Sequence, residues 1–353
     1  MVGKNYDFII IGQGIAGSVL SWRLIEKNIK FLVINDSSKI NSSNSALGLY
    51  NPITGKKFVE TWNSNEIIYE TENFYTSIEK KLNKKFLYKK NIYRPFSSKK
   101  DSNDWELKRE SKTYKKYIEK LNYQSKYKFL KDSIGGVTTN RSGYLDVKKF
   151  LFLTKKYLQN KSLYIENNIK SKNIKSRKDH IEIINKKTKY LILCRGFYEN
   201  ESEFFSWLPF NLVKGENINI KIHHEIKEII QKSLLIIPTK KPNEYSVGST
   251  YDWENLNNKV SEKGIKNLKK KIENILKCKY EIIEKQAGIR PATKNRRPFV
   301  GFHPNNNKIG IINGLGSKGI SLAPYCTKVL IDNIQNQKNI NREINIKRYI
   351  SLY

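Results

Sequence analysis

Gly12, Gly14 and Gly17 have the spacing that binding a pyrophosphate requires. In Gly-x-Gly-x-x-Gly the first glycine makes a tight turn and the second lets backbone approach the phosphates. The third lets a helix pack against its strand. The N–H groups opening that helix, from Ile15 and Ala16 onward, then face an anion. A second glycine run, Gly314-Leu-Gly-Ser-Lys-Gly319, lies near the other end of the chain and opens another helix. Two such turns suit a flavin dinucleotide, with one helix serving the pyrophosphate and the other the pyrimidine edge of the ring. A nicotinamide dinucleotide rarely needs both.

The elements that must position these turns are legible. Phe8 to Ile11 is a short apolar, β-branched run and reads as a buried strand of a parallel sheet. Ile15 to Lys27 follows with a helical apolar rhythm, and Phe31–Ile34 gives a second strand, as a βαβ unit needs. That strand ends in Asn35 and Asp36, where an acid usually meets the ribose hydroxyls. Ser45-Ala46-Leu-Gly48 comes next; its small residues suit either a backbone passing close to a flat ligand or an ordinary loop. Asn65–Leu82 and Glu262–Lys277 read as amphipathic helices, and the region between residues 83 and 132 carries strand-like pieces without a dinucleotide pattern. Tyr190–Leu193 is an apolar strand that runs into Cys194-Arg195-Gly196, a further place for backbone to approach a cofactor.

Composition sets the outer bounds. With 353 residues the chain can form one large or two ordinary domains. No apolar run approaches the ~20 residues of a membrane-spanning helix, and with the first strand beginning almost at once no secretory signal is expected. Cys194, Cys278 and Cys326 show neither metal-ligand spacing nor a disulfide pattern, so a reducing cytoplasm is expected and no metal site is. The formal charge is +33. Lys outnumbers Arg about five to one and Asn and Ile are abundant, a mixture that AT-rich codons supply. The charge is either that compositional drift or a surface for a polyanion.

These pieces, in this order, resemble the D-amino-acid oxidase-like superfamily of flavoproteins, above all its glycine oxidase and sarcosine oxidase branch. The landmarks are GQGIAG, SALGLYNP, SGYLDVKKF, LILCRG, LVKGE, the stretch IIPTKKPNEYSVGSTYDW, GIRPATKNRRPFVG and NGLGSKGISLAP. The GIRP block and the last motif are also similar to the oxidase half of the bifunctional enzymes that trim carboxymethylaminomethyl groups on the tRNA wobble uridine. The resemblance implies an α/β fold: a Rossmann-like, glutathione-reductase-type FAD-binding domain with an inserted mixed α+β substrate domain. The expected FAD segments are 1–60, 138–210 and 286–345, and the expected substrate segments 61–137 and 211–285. The GIRP block has no cysteine, so the FAD is expected to be held non-covalently.

Site residues follow from the resemblance. A planar guanidinium grips a carboxylate in bidentate fashion, and Arg290, in Gly-Ile-Arg-Pro, matches the family's carboxylate-binding arginine; the alternative is a structural ion pair. Lys318, inside the second glycine turn, either stabilises negative charge arriving at the flavin or is a solvated lysine. Gly314, Gly316, Ser317 and Gly319 are expected flavin neighbours beside Gly12, Gly14, Ile15, Ala16, Gly17, Asn35, Asp36, Ser45, Ala46, Gly48 and Gly196. Tyr251 and Trp253 either line the substrate pocket or pack in the core. His303 is assigned no role, and His180, His223 and His224 are expected on surface strands without partners. Three functions fit: oxidation of the C–N bond of a small amino acid or secondary amine, the same chemistry on tRNA, or a flavin-binding partner protein whose catalysis has decayed.

Overall fold

The computed structural model describes residues 5–55 and 58–353, and the chain divides into two compact units. The first takes the described residues up to Ala46, then Val147–Val213 and Ile289–Tyr353; the second takes Leu47–Asp146 and Lys214–Gly288.

The first unit is built on strand β1 (Asn5–Ile11), helix α1 (Ile15–Glu26) and strand β2 (Phe31–Asn35). β1 lies parallel to β2 on one side and to Lys186–Leu193 on the other, and Tyr164–Glu166 extends the sheet beyond β2, again parallel. On the far side Asn306–Asn313 pairs parallel with Leu191–Leu193. A parallel neighbour on each side, within a run of five parallel strands, explains the apolar run of β1. Ile9 and Ile10 are fully buried, each worth about 1.5–3 kcal/mol against exposure. α1 is buried along most of its length, from Ile15 to Leu24, and packs against Val147–Asn160 through Trp22, whose indole N–H donates to Thr154 Oγ1 at 2.9 Å.

The second unit centres on an eight-stranded sheet in the order Glu281–Arg290, Val213–Lys221, Glu244–Gly248, Leu235–Pro238, Ile229–Gln231, Ile92–Pro95, Gly136–Thr139, Ile118–Asn122. Helix Glu262–Glu273 lays Ile265, Leu268 and Ile272 into the core formed with Ile218, Ile220, Ile230 and Ile236. It ends before Lys277 because the N–H of Ile275 turns back to the carbonyl of Ile272 at 2.8 Å and the chain then pairs with 129–131. Residues 47–60 and 138–146, grouped in sequence with the dinucleotide segments, pack in this second unit. Tyr50 pairs with Gly143, and Leu145 with Leu87. Gly48 owes its identity to this packing: a Cβ there would lie 2.0 Å from the carbonyl oxygen of Leu145.

Among the described residues no helix is long and apolar enough to cross a membrane. Among them no three His, Cys, Asp or Glu side chains gather as metal ligands.

Candidate functional site

The parallel strands of the first unit end together, and the turns leaving them converge. Gly12 closes β1 with φ +101°, and a Cβ on it would stand 2.5 Å from the carbonyl oxygen of Cys194, the residue that ends the neighbouring strand. Gly17 packs α1 so tightly on that turn that a Cβ would be 1.9 Å from the carbonyl oxygen of Gly12. Gly14 caps α1 with no side-chain hydrogen bond, and the first N–H groups of the helix have no intrahelical acceptor. One of them is met from the side: Ser43 Oγ accepts from Ile15 N–H at 3.2 Å. The loop carrying Ser43 is held by Asn41, whose Oδ1 accepts from Ser43 N–H at 2.9 Å, so Ser43 rather than Ser45 reaches the turn. Ser45 and Ala46 close that short helical turn, donating to Ser42 and Ser43 carbonyls.

Two more turns complete the arrangement. Gly196 (φ +60°) follows Cys194-Arg195, and among the described residues beyond its two chain neighbours no atom lies within 4 Å of where its Cβ would stand. Arg195 is spoken for: its Nε and Nη2 donate to the buried carboxylate of Glu199 at 2.9 and 2.8 Å, a bidentate pair that stiffens this turn. Asn313 ties it to the second glycine run, donating from Nδ2 to the Gly196 carbonyl and accepting from Gly314 N–H, both at 2.8 Å. That run then folds back on α1, where a Cβ at Gly319 would lie 3.1 Å from Ile15 Cγ2. The two glycine turns foreseen from sequence are therefore neighbours.

Arg290 ends the strand Glu281–Arg290, and the residues after it touch the second glycine turn directly. The Pro291 carbonyl accepts from Gly316 N–H at 3.0 Å, and the Ala292 N–H returns to the Arg290 carbonyl at 2.9 Å. Lys318 caps the helix Gly319–Asn336. It keeps some surface, yet burial, with Arg296 and Arg297 adding repulsion, pushes its ammonium down to about 8. Ser317, beside it, is exposed. Tyr251 and Trp253 are not core residues: both are more than half exposed in the second unit, their rings stacked with centroids 6.0 Å apart. His303 sits among Phe204, Phe205 and Tyr353, and burial lowers its pKa. His180, His223 and His224 lie in connections rather than strands. Contrary to expectation, His180 meets Glu182 at 3.1 Å and His224 stacks on Phe129.

At the end of β2, Asn35 Oδ1 accepts from Gln13 N–H at 2.8 Å, so this side chain braces the first glycine turn. Asp36 turns its Oδ1 onto Ser38, accepting from the N–H at 3.0 Å and from the hydroxyl at 2.5 Å. Gln13, Ser43, Asn313 and Glu166 are contributors that sequence reasoning missed. Each acts through a partner distant in sequence.

The glycines that admit no Cβ, the open space at Gly196 and the uncapped start of α1 together fit a dinucleotide laid across the strand ends. The comparisons with known proteins agree. The profile of the DAO family, described as FAD dependent oxidoreductase, matches residues 7–333. Glycine oxidase of Bacillus subtilis (strain 168) is 28% identical over 149 residues, which is 40% of this chain and 40% of that enzyme's length. Glycine oxidase from Geobacillus kaustophilus superposes with a TM-score of 0.78 at 16% identity, covering 97% of this chain and 100% of its own. Iminodiacetate oxidase from Chelativorans sp. BNC1 gives 0.78 at 15% identity, with 97% and 98% covered. L-proline dehydrogenase from P. horikoshii gives 0.74 at 12% identity, with 96% and 95% covered. With the family profile running through both units and onto the last long helix, this chain belongs to the DAO family of FAD-dependent oxidoreductases.

Proposed function

We propose that this enzyme oxidises the C–N bond of a small amino acid or an N-substituted glycine, with Arg290 holding the substrate carboxylate. The observation that carries the reading is the hydrogen bond from Gly316 N–H to the Pro291 carbonyl, which fastens the Arg290 segment to the second glycine turn. The relatives in the comparison are named for glycine, iminodiacetate and L-proline, and each of those compounds pairs an amine with a carboxylate. We assign the first unit to FAD and the second to substrate binding, with exposed Tyr251 as its candidate contact residue. The three free cysteines suit a reducing compartment, so we place the reaction in the cytoplasm.

In this reading Gly12, Gly14, Gly17 and the α1 N–H groups hold the pyrophosphate, and Gly196, Gly314, Gly316 and Gly319 let backbone lie against the ring. Bound FAD supplies the two-electron acceptor for the hydride that leaves the carbon bearing the amine. Arg290 fixes that carbon by its neighbouring carboxylate through two parallel hydrogen bonds. The substrate amine reacts neutral, its lone pair forming the C=N bond as the hydride departs, so no dedicated base is required. Water then adds to the imine and releases the amine and a carbonyl acid.

Lys318 places a cation where the electrons arrive. Because its pKa is lowered to about 8, it is charged at neutral pH and loses that charge as pH rises through and above 8. The midpoint potential of the holoenzyme is expected to fall more steeply with pH above about 8 than below it. In Lys318→Met that break should vanish, as potentiometric titration across pH 6–10 would read; a break kept in the variant removes Lys318 from the role.

A second reading keeps the chemistry and moves it to tRNA. It is favoured by a concavity of about 490 Å³ in the second unit, lined by Lys131, Lys277 and Lys279 together with Tyr280 and Glu273. Lysines beside an aromatic ring suit a phosphodiester chain. The test of both readings is one anaerobic titration, with small carboxylated amines first and carboxymethylaminomethyl-modified tRNA after them.

A further inference from the structure

Asn35 stands where this fold usually ends β2 in an acid for the ribose hydroxyls. Its amide is already committed. Oδ1 accepts from Gln13 N–H, and Nδ2 is directed at Tyr164 Oη, 3.2 Å away, and at Ser37 Oγ, 3.4 Å away. Asp36 is occupied by Ser38. The negative charge missing from β2 lies one strand over. Glu166 ends the parallel strand Tyr164–Glu166 directly opposite Asn35, and the next N–H, from Asn167, donates to the Asn35 carbonyl at 2.9 Å.

The Glu166 carboxylate is held from several sides. Oε1 accepts from Ser37 N–H in a short hydrogen bond; Oε2 accepts from Tyr164 Oη at 2.8 Å, Ser37 Oγ at 2.9 Å and Lys155 Nζ at 3.3 Å. Burial alone would raise its pKa, but these donors outweigh burial and bring it down to about 2. The group is therefore ionised wherever the enzyme works. Half of the side chain remains open, and Oε1, with one donor, retains a lone pair.

We propose that Glu166 replaces the missing β2 acid, its carboxylate accepting from a ribose hydroxyl of the FAD adenosine while its grip on Ser37 fixes the end of β2. This rests on the reading that the adenosine half of FAD lies at the first glycine turn.

The experiment measures FAD binding to apoprotein by quenching of flavin fluorescence, with FMN, which has no adenosine, as the control. Glu166→Gln keeps the shape and removes the charge, so FAD affinity should fall about 10- to 100-fold, while FMN affinity stays that of the parent. Adding Asn35→Asp to that variant returns a carboxylate to β2 and should restore most of the lost affinity. Unchanged FAD affinity in Glu166→Gln overturns the proposal. So does a loss that Asn35→Asp does not repair, since that marks a purely structural carboxylate. If Glu166→Gln does not fold, the double variant decides alone: near-parental FAD affinity supports the charge transfer between strands, and failure to bind overturns it. Competition by ADP keeps the underlying reading separate. Parent protein whose FAD is not displaced by ADP contradicts the adenosine position itself, whereas displacement together with an indifferent Glu166→Gln sinks only the role of Glu166.

Discussion

Arg290→Ala is expected to purify with its flavin and to be reduced by carboxylated amines on the order of 10²–10³-fold more slowly at subsaturating substrate. Truncating one side of a desolvated, hydrogen-bonded charge pair costs about 2–5 kcal/mol. The flavin stays because the hydrogen bond to the second glycine turn runs through the Pro291 carbonyl, which survives the truncation. Arg290→Lys should recover part of the loss, since an ammonium keeps the charge but not the planar fork. Stopped-flow reduction under anaerobic conditions reads both variants. Amines that lack a carboxylate should be little affected by either change. A uniform loss over amines with and without a carboxylate would make Arg290 a structural residue.

Gly17→Ala should cost the protein its cofactor. The new methyl would sit 1.9 Å from the carbonyl oxygen of Gly12 and 3.0 Å from its carbon, and backbone cannot swing aside as a side chain can. Either α1 moves off β1 or the Gly12 turn opens; in both cases the N–H groups proposed to hold the pyrophosphate are displaced. A strained core position of this kind costs about 3 kcal/mol or more. The expected readout is a protein without a flavin band and with a lowered melting temperature. Gly14→Ala is the comparison, because the nearest atoms to its methyl would be the ends of the Asn41 and Ser43 side chains, at 3.3 and 3.4 Å. It should melt close to the parent as apoprotein yet bind FAD more weakly, since the methyl occupies the approach to the phosphates. Normal flavin content in Gly17→Ala would mean that this turn does not carry the pyrophosphate.

What the sequence makes legible here is what is local. Strand, glycine turn and helix follow one another within residues 5–26, so β1, Gly12, Gly14, Gly17 and α1 can be read without knowing any distant partner. The same holds for the strand ending at Asn313 and the turn at Gly314–Gly319. What pairs across the chain is not legible. Leu47–Glu60 reads as a continuation of the first βαβ unit, yet Tyr50 finds Gly143, and that antiparallel pairing places the segment in the other unit. Asn35 reads as a weakened acid because the Gln13 N–H that claims its oxygen is invisible in a pattern. Glu166 is not singled out by any local pattern because its register against β2 is a tertiary fact. Tyr251 and Trp253 show the same limit from the other side, since aromatic content alone does not tell an exposed stacked pair from a core one.

The central claim is that a flavin bound in this chain takes electrons from a carboxylated amine. Its most direct test is the visible spectrum of the purified, FAD-replete protein, followed anaerobically as glycine, sarcosine and proline are added in turn. The account predicts a flavin band near ~450 nm that bleaches with at least one of them. A band that none bleaches but modified tRNA does would move the reaction to that substrate. A flavin band indifferent to every amine and to tRNA, or a protein that takes up no FAD, would contradict the account.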